Sequence, residues 1–275
     1  MNAIMSTFQN GFVTAPTTKR SLAELLDPID RLAAKSPNLI AKHDAKFERG
    51  GQRYVLPRYF FVGPKGGGDP IRVGIFAAIH GDEPAGAYAI ADFLSVLDAN
   101  PELATGYCLF TYPVCNPTGF EDGTRYARTG HDLNREFWNN SKEPEVRLLQ
   151  TELFSHALDG VISLHSDHAS DGVYGFANGN TLTKNLLEPA LSAAEEILPR
   201  NQKGVIDGFT ARNGIIRASY QGMLSAPPKL RPRPFEILLE TPNAANSFLQ
   251  QKAFVAALLS ILTEYRKFIA YGANL

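Results

Sequence analysis

Residues 72–97, with the sequence RVGIFAAIHGDEPAGAYAIADFLSVL, predict the fold class of the chain. Residues 73–79 form an apolar run that is typical of a buried strand, and after Ala87 the apolar positions recur at a helical period. The polar turn between the two holds His80 and Glu83, whose side chains can bind a metal ion. Because ligands of open α/β sheets bind outside the carboxyl ends of the strands, the stretch predicts half of a zinc site.

The rest of the chain alternates predicted strands with predicted helices. Two strand-like runs flank the turn RGGQ at residues 49–52, which favours a hairpin, and Pro57 is expected to place the second run at an edge or to bend it. A helix is predicted to begin at Pro144. The other predicted elements are strands at residues 107–114, 160–164 and 235–239, and helices at residues 182–198 and around residues 254–269. This alternation predicts one α/β domain over residues 1–275, in which residues 1–30 are a peripheral or poorly ordered segment.

The charge of the chain argues against one class of partner. Lysine and arginine number 27 and the acidic residues 28, so the formal net charge is -1. No overall positive field attracts nucleic acid or an anionic membrane, and the expected partner is a small molecule. No uninterrupted apolar segment is long enough to span a bilayer, and residues 1–20 lack the basic start and apolar block of a secretion signal. The protein is therefore expected to be soluble and cytoplasmic.

The two cysteines are not expected to form a disulfide. Cys108 and Cys115 lie along one predicted strand, where the extended chain separates their Cα atoms by about 23 Å. A disulfide requires Cα atoms within about 7 Å of each other. Both thiols are expected to be reduced, as is usual in the cytosol.

A third metal-binding side chain follows another predicted strand. His165 comes directly after the apolar residues 160–164, so it is expected at the same sheet edge as His80 and Glu83. A catalytic zinc ion takes three protein ligands and leaves one position open, and two histidines with one glutamate form such a set. Each residue taken alone fits an ordinary structural role, but their joint placement at strand ends predicts a metal site.

Other polar residues near these strand ends predict a hydrolytic site. Glu240 ends an apolar strand, where a carboxylate is costly unless it is solvated, paired or reactive, and beside a metal ion it would serve as a general base. The polar connection at residues 116–135 carries Arg125, Arg128 and Arg135, together with Asn134. Guanidinium groups donate in a fork that fits carboxylates and oxyanions, so this cluster predicts recognition of an anionic substrate group.

These residues lie in motifs that resemble those of a known family. The segments HGDE (80–83), NPTG (116–119), GTR (123–125), DLNREF (132–137), LHS (164–166) and LLETP (238–242) resemble, in order and spacing, the motifs of the zinc carboxypeptidase family, peptidase family M14. The chain is most similar to the compact bacterial branch that includes murein peptide amidases, and to the neighbouring succinylglutamate desuccinylase and aspartoacylase group. The resemblance implies a single domain with a central mixed, mostly parallel sheet of about eight strands flanked by helices.

The resemblance also implies a role for each matched residue. One zinc ion would be bound by His80, Glu83 and His165. Arg125 would polarise the scissile carbonyl and stabilise its oxyanion, and Glu240 would be the base. The terminal carboxylate of the substrate would be held by Asn134 and Arg135. Tyr220 would correspond to the mobile tyrosine that caps the site in larger members of the family.

The chain departs from the family pattern at two positions. Ala127 stands where members of the compact branch often have the asparagine partner of the oxyanion arginine, and Arg128 is the residue expected to take over part of its work in substrate binding. Ser163 replaces an aspartate that many relatives carry two residues before the second histidine. Asp167 and His168 follow that histidine closely and leave two alternatives open: a contact to a second metal or to substrate, or a solvent-facing loop.

The expected function is hydrolysis of an amide bond. The first interpretation is a zinc metallocarboxypeptidase that removes the C-terminal residue of a short peptide or peptide-like amide. The second is an N-acyl amino acid deacylase of the succinylglutamate desuccinylase and aspartoacylase type, which would use the same residues on the carboxylate of the amino acid. A third, of another class, is a protein that binds zinc or a carboxylate without catalysis; Glu240 argues against it, because binding alone needs no base. The oligomeric state stays open, since the C-terminal helix could cover the core or pair with a second subunit.

Overall fold

The structure is a computed structural model that describes residues 19–272. Residues 1–18 of the expected N-terminal segment lie outside the described part of the chain. The strands are β1 (Leu39–Lys42), β2 (Lys46–Arg49), β3 (Gln52–Val55), β4 (Arg58–Val62), β5 (Ile71–Ala77), β6 (Tyr107–Tyr112), β7 (Gly160–Asp167), β8 (Tyr174–Ala177), β9 (Val205–Ile206), β10 (Phe209–Arg212), β11 (Ile215–Ile216) and β12 (Phe235–Pro242).

Helices connect these strands and pack against the sheet. They are α1 (Leu22–Ala33), α2 (Ala85–Ala99), α3 (Pro117–Asp122), α4 (Pro144–Ser155), α5 (Asn180–Leu182), α6 (Glu188–Glu195) and α7 (Ser247–Gly272), with a π-helical turn, Thr183–Leu187, between α5 and α6. Ser21 caps α1 as its hydroxyl accepts a hydrogen bond from the Glu24 amide, and Pro144 occupies the first turn of α4 as predicted. Pro189 lies at the start of α6, directly after the π-helical turn.

The central sheet confirms the predicted fold class. Ten strands form it within residues 19–272, in the order β1-β4-β6-β5-β7-β12-β8-β11-β10-β9. The four central strands, β6, β5, β7 and β12, run parallel, and antiparallel pairs lie towards both edges. The sheet is larger than the predicted eight strands because residues 205–216 add three strands of two to four residues to the other seven, and strands of this length show no recognisable alternation.

The parallel centre determines where the functional residues meet. Strands β5, β7 and β12 end at the same edge of the sheet, and β5 leads directly into the turn that holds His80. In the register between β7 and β12, Glu240 lies opposite His165. Paired residues of parallel strands point to the same face, so the register alone brings these two side chains together.

Apolar residues on the two faces of the sheet contact different helices. On one face, Val73, Ile75 and Ile162 pack with buried residues of α2, α6 and α7. On the other face, Phe76 and Tyr112 stack at 4.5 Å between ring centroids and join the buried residues of α4. Because successive residues of a strand point to opposite faces, the apolar run at residues 73–79 supplies both layers.

The predicted hairpin is present but is shorter than its two apolar runs. Gly50 and Gly51 form the turn between β2 and β3, both at positive φ, and this pair makes a separate two-stranded sheet. Pro57 separates β3 from β4, and β4 pairs instead with β1 and β6 in the central sheet. The two cysteines are free thiols, as predicted. In the described part of the chain, no helix has the length and apolar character needed to cross a membrane.

Candidate active site

The three predicted metal ligands converge at the carboxyl ends of β5 and β7. His80 Nδ1 lies 2.6 Å from Glu83 Oε1, and His165 Nδ1 lies 2.9 Å from Glu83 Oε2. One candidate ligand atom from each residue lies within 4.8 Å of the others, and all three residues are buried. Two nitrogens and one carboxylate at this spacing form a group that can hold a metal ion.

The turn that presents His80 is fixed by close packing against α3. A Cβ at Gly81 would lie 1.9 Å from the carbonyl carbon of Gly119, so only glycine lets the two segments approach this closely. Asn116 caps α3 as its Oδ1 accepts the Gly119 amide hydrogen, and its Nδ2 donates to the carbonyl of Ile79. Through these contacts, the NPTG motif positions the turn that holds His80 and Glu83.

Burial and charge act in opposite directions on the three ligands. Burial lowers the pKa of His165, which favours the neutral imidazole that a metal ion requires. Burial alone would raise the pKa of Glu83, but the adjoining His165 and His80 hold it below its ordinary value. Glu83 is also held in place by the Ser166 amide, which donates to its Oε2. The group is thus arranged around an ionised carboxylate.

Asp132 is a site residue that the sequence reading did not assign. Its Oδ1 lies 3.2 Å from His80 Nε2 and accepts the Asn134 amide hydrogen, while its Oδ2 accepts from Arg125 Nε at 3.0 Å. It therefore orients both a candidate metal ligand, His80, and the expected oxyanion arginine, Arg125. Its position in DLNREF, two residues before Asn134, was the available signal. Arg125, whose expected partner position is occupied by Ala127, is held by Asp132 instead.

Glu240 lies beside the three ligands without a hydrogen bond to its buried oxygen. The residue is half-buried, its Oε2 is inaccessible to solvent, and this atom has no hydrogen-bond partner within residues 19–272. Burial, together with the negative charge of Glu83, raises the pKa of Glu240 well above its ordinary value. A buried carboxylate left without a partner is typical of a reactive site rather than of a structural one.

Asn134, Arg135 and Tyr220 form one connected wall of the site. Asn134 is buried, and its Oδ1 accepts the Leu224 amide hydrogen at 2.8 Å. The Arg135 guanidinium lies over the Tyr220 ring, 4.4 Å from its centroid. Gly222, at a φ of 73°, packs so closely that a Cβ there would lie 2.2 Å from the Arg135 carbonyl oxygen. The loop that carries Tyr220 is thereby packed against Asn134 and Arg135.

A single cavity of about 290 Å³ contains this wall and the candidate metal-binding group of His80, Glu83 and His165. Its lining includes every predicted site residue except Arg128, namely His80, Glu83, Arg125, Asn134, Arg135, His165, Tyr220 and Glu240. Asp167, His168 and Asp207 line it as well, and Asp207 had no predicted role. Residues from six separate segments of the chain thus meet around a space large enough for a small ligand.

A family model matches the part of the chain that supplies the site residues before residue 201. Residues 70–201 match the model of the succinylglutamate desuccinylase/aspartoacylase catalytic domain. This match supports the resemblance predicted from the motifs. The matched segment contains the three candidate metal ligands as well as Arg125, Asn134 and Arg135, whereas Tyr220 and Glu240 lie beyond it. A comparison with curated protein sequences gives no significant match.

Solved structures of metallopeptidases share the fold. A Shewanella baltica protein assigned to the metallopeptidases has a TM-score of 0.70 and 24% identity, over 87% of this chain and 90% of that one. A metallo-carboxypeptidase from Burkholderia cenocepacia has a TM-score of 0.72 and 16% identity, over 91% and 70%. A Pseudomonas aeruginosa metallo-carboxypeptidase, in complex with (2-guanidinoethylmercapto)succinic acid, has a TM-score of 0.67 and 15% identity, over 89% and 69%. At these identities the likeness is one of fold.

Arg128 does not join the other predicted residues of this site. Its guanidinium binds Asp122 at 2.6 Å and Glu121 at 3.0 Å, and it lies over the Tyr54 ring. The guanidinium N–H groups of Arg128 therefore donate to Glu121 and Asp122 at the end of α3, and these residues do not line the cavity. The structure therefore gives no support to the substrate contact expected for Arg128.

Asp167 and His168 line the cavity but do not complete a second metal site. Asp167 accepts hydrogen bonds from the Tyr174 hydroxyl at 2.9 Å and from the Ala169 amide. His168 is exposed and contacts Asp82 and Asn243. Within residues 19–272, the group of His80, Glu83 and His165 is the one set of three such side chains close enough to share an ion.

Proposed function

We propose that the protein is a zinc-dependent metallocarboxypeptidase that hydrolyses the C-terminal amide bond of a short peptide or peptide-like substrate. The observation that carries the proposal is the shared cavity: the metal-binding group, an unpartnered carboxylate and an asparagine and arginine wall all face the same 290 Å³ space. Metal-assisted amide hydrolysis requires a metal ion, a base and a group that positions the substrate.

The residues present fit a zinc ion. Two imidazole nitrogens and one carboxylate are ligands that zinc prefers, and three protein ligands leave a coordination position open, as in catalytic zinc sites. When bound, zinc would supply a Lewis acid that polarises the carbonyl and lowers the pKa of water. Asp132 would hold the ring of His80 through Nε2, and the Ser166 amide would hold the Glu83 carboxylate.

Glu240 would act as the general base. Its position opposite His165 in the sheet register places the carboxylate beside the metal-binding group, and its Oε2 has no competing partner within the described residues. In this role Glu240 would accept a proton from the attacking water and deliver it to the leaving amine. Arg125, held by Asp132, would donate hydrogen bonds to the oxyanion that forms on the carbonyl.

Asn134 and Arg135 would bind the terminal carboxylate of the substrate. The hydrogen bond from the Leu224 amide occupies Asn134 Oδ1, so the side-chain NH₂ is the group that remains to donate. The Arg135 guanidinium is oriented by the Tyr220 ring beneath it. A carboxylate bound in this way would fix the distance from the end of the substrate to the scissile amide, which limits cleavage to the last residue.

A second candidate is an N-acyl amino acid deacylase. The match of residues 70–201 to the succinylglutamate desuccinylase/aspartoacylase catalytic domain favours it. The same residues would bind the carboxylate of the amino acid, and only the acyl group across the scissile amide would differ. The succinic acid derivative bound to the Pseudomonas aeruginosa metallo-carboxypeptidase supports a small carboxylate ligand for this fold, which both candidates satisfy.

Metal analysis joined to a substrate panel tests these candidates. The purified protein is expected to contain one equivalent of zinc and to lose activity on chelation, with recovery when zinc is returned. Turnover of short peptides beside N-acetyl and N-succinyl amino acids would be measured by amine release. Turnover of acyl amino acids alone would contradict the peptidase proposal. Full zinc occupancy without turnover of any panel member would favour a binding protein.

A further inference from the structure

The basic and acidic residues that line the cavity come from different segments of the chain. Arg125 and Arg135 come from the polar connection before α4, whereas Asp167 comes from the end of β7 and Asp207 from the turn between β9 and β10. Asn134 and Arg135 are the residues to which the proposed function assigns the substrate carboxylate. Asp167 and Asp207 are thus lining residues that this assignment leaves available for the other end of the substrate.

Within residues 19–272, Asp207 lines the cavity without a cationic partner. Its carboxylate forms no ion pair in the described part of the chain and shares a hydrogen bond with the Tyr220 hydroxyl, whereas both oxygens of Asp167 accept hydrogen bonds from Tyr174 and Ala169. The Asp207 backbone is fixed, because its carbonyl accepts the Tyr220 hydroxyl hydrogen at 2.8 Å. The position of the Asp207 carboxylate at the cavity is thus determined by the same tyrosine that supports Arg135.

A separate observation indicates that a polar ligand belongs in this cavity. His165 is only 3% exposed, and its Nε2 has no hydrogen-bond partner within residues 19–272. The Oε2 atom of Glu240 is inaccessible to solvent and also lacks a hydrogen-bond partner among these residues. Both residues line the cavity that Asp207 borders. Buried polar atoms that lack partners are uncommon unless a ligand, an ion or water completes them.

The two aspartates act electrostatically on the reactive centre. Burial is the main reason for the raised pKa of Glu240 and of Tyr174, and the charges of Asp167 and Asp207 add to it in both cases. Both carboxylates line the same cavity as Glu240, so their charges act on a substrate group bound there. A positive charge there would be attracted and a negative charge repelled.

We propose that Asp207 is a specificity-determining residue that selects substrates with a positive charge on the acyl side of the scissile amide. The preferred class is then a zwitterion: a short peptide whose C-terminal carboxylate meets Asn134 and Arg135 and whose ammonium group meets Asp207. Anionic acyl groups such as succinyl are disfavoured. This inference rests on the proposed function, and it separates that function from the deacylase alternative.

Three compounds with one shared leaving group test the inference. The glycyl, acetyl and succinyl derivatives of a single amino acid, chosen from the panel as the best leaving group, differ in acyl charge from positive through neutral to negative. Glycyl and acetyl differ only by an ammonium group in place of a hydrogen. For the zinc-loaded protein, kcat/KM is expected to fall in the order glycyl, acetyl, succinyl, by about tenfold at each step.

Asp207→Asn removes the charge while keeping the shape of the turn. Asp207 has a φ of 51°, a conformation that asparagine adopts readily, so the variant is expected to fold. The ratio of glycyl to succinyl kcat/KM should fall about tenfold, mainly through KM of the glycyl compound. The control, Asp69→Asn, changes an exposed aspartate outside the cavity and should leave the ratio unchanged.

The outcomes separate this inference from the function on which it rests. If the zinc-loaded protein hydrolyses the series but Asp207→Asn leaves the ratio unchanged, the inference is overturned and the hydrolase stands. A wild-type preference for the succinyl compound would also overturn it, in favour of the deacylase. If no member of the series and no longer peptide is hydrolysed, the proposed function itself fails.

Binding is measured independently by calorimetry in proteins that carry Glu240→Gln. The glycyl compound is expected to bind the Glu240→Gln protein about tenfold more tightly than the double variant that also carries Asp207→Asn.

Discussion

Glu152 and Glu240 are two glutamates whose carboxylates the fold removes from water, and their surroundings differ. Glu152 Oε1 binds the Arg58 guanidinium, and its Oε2 accepts from the Tyr112 hydroxyl at 2.9 Å and from His156 at 3.0 Å. Although burial alone would raise it, the pKa of Glu152 lies below its ordinary value because these partners stabilise the charge. Glu240 has burial without such partners, and its pKa is raised.

The difference shows how one residue type serves stability in one place and chemistry in another. A buried carboxylate whose oxygens are all bonded is held in a single state and contributes to folding. One that lacks bonds costs folding free energy and remains able to accept a proton or a ligand. Hydrogen-bond satisfaction, rather than burial, separates the two glutamates, and the following changes test that separation.

Glu240→Gln is expected to have the largest effect on activity. Loss of the base should lower kcat/KM by about a thousandfold. Zinc content should be retained, because Glu240 is not among the proposed ligands, and the free energy of unfolding should stay constant or rise, because an unpartnered buried charge is removed. Steady-state kinetics, metal analysis and urea unfolding measure the three quantities. Activity within a few-fold of wild type would contradict the role of base.

His80→Ala should affect metal binding and activity together. Loss of one of three ligands is expected to weaken zinc binding by more than about a hundredfold, the upper end of what loss of an outer partner costs. Competition with a chelator measures the affinity. The control is His43→Ala. His43 contacts Asp30, lies outside the motif segments and does not line the cavity. Unchanged zinc affinity in His80→Ala would contradict the metal site.

Glu152→Gln should reverse the pattern seen for Glu240. Because the change removes the buried partner charge of Arg58 and leaves the guanidinium only the exposed carboxylate of Asp44, unfolding should become easier by about 3 kcal/mol. The value of kcat/KM should stay within about twofold, since Glu152 does not line the cavity. Glu188→Gln is the matched control: its ion pair with Arg200 is partly exposed, and its loss should cost less than about 1 kcal/mol.

The pH dependence of stability should carry the signature of Glu152. Its pKa in the folded protein is below the ordinary value of 4.5, so its contribution is fully present above that pH and is lost as the pH falls through the folded-state pKa. Urea unfolding of wild type and Glu152→Gln at about pH 7 and about pH 3 tests this, and the difference between the two proteins should shrink at the lower pH. A constant difference would contradict the assignment.

Arg128→Gln should have the smallest effect. The Arg128 guanidinium binds acidic residues outside the cavity, so kcat/KM should stay within about twofold and stability should fall by less than about 1 kcal/mol. The matched change Arg125→Gln should lower kcat/KM by about a hundredfold, as expected for loss of an oxyanion donor. Comparable losses in the two variants would restore a substrate role to Arg128.

The sequence predicts the part of the site that depends on strand ends. The apolar run before His80, the run before His165 and the run before Glu240 each predict a strand that ends at a polar residue, and parallel strands bring these ends to one edge. The spacing within the turn predicts the pair of His80 and Glu83. These features are local or follow from a general rule of sheet topology, so they can be predicted from a single sequence.

Other parts of the site depend on contacts that no local pattern encodes. The direction of the Arg128 side chain is decided by acidic neighbours at the end of α3, and spacing alone could not exclude the cavity. Asp207 lies in a two-residue turn between very short strands, and its placement beside Tyr220 depends on how a strand pair at the sheet edge packs. Asp132 is adjacent to recognised residues, but its bond to His80 joins positions 52 residues apart.

The pairing of Glu240 with His165 has a consequence for how this molecule tolerates change. Backbone hydrogen bonds between β7 and β12 set the separation of the proposed base from a proposed ligand, so the 74 intervening residues do not set it. Insertions or deletions in the segment between these strands should leave that separation intact as long as the two strands keep their pairing. A slip of β12 by one residue would instead turn Glu240 to the opposite face of the sheet. The loops around the site are thus free to diversify the ligand while the reactive pair stays constant.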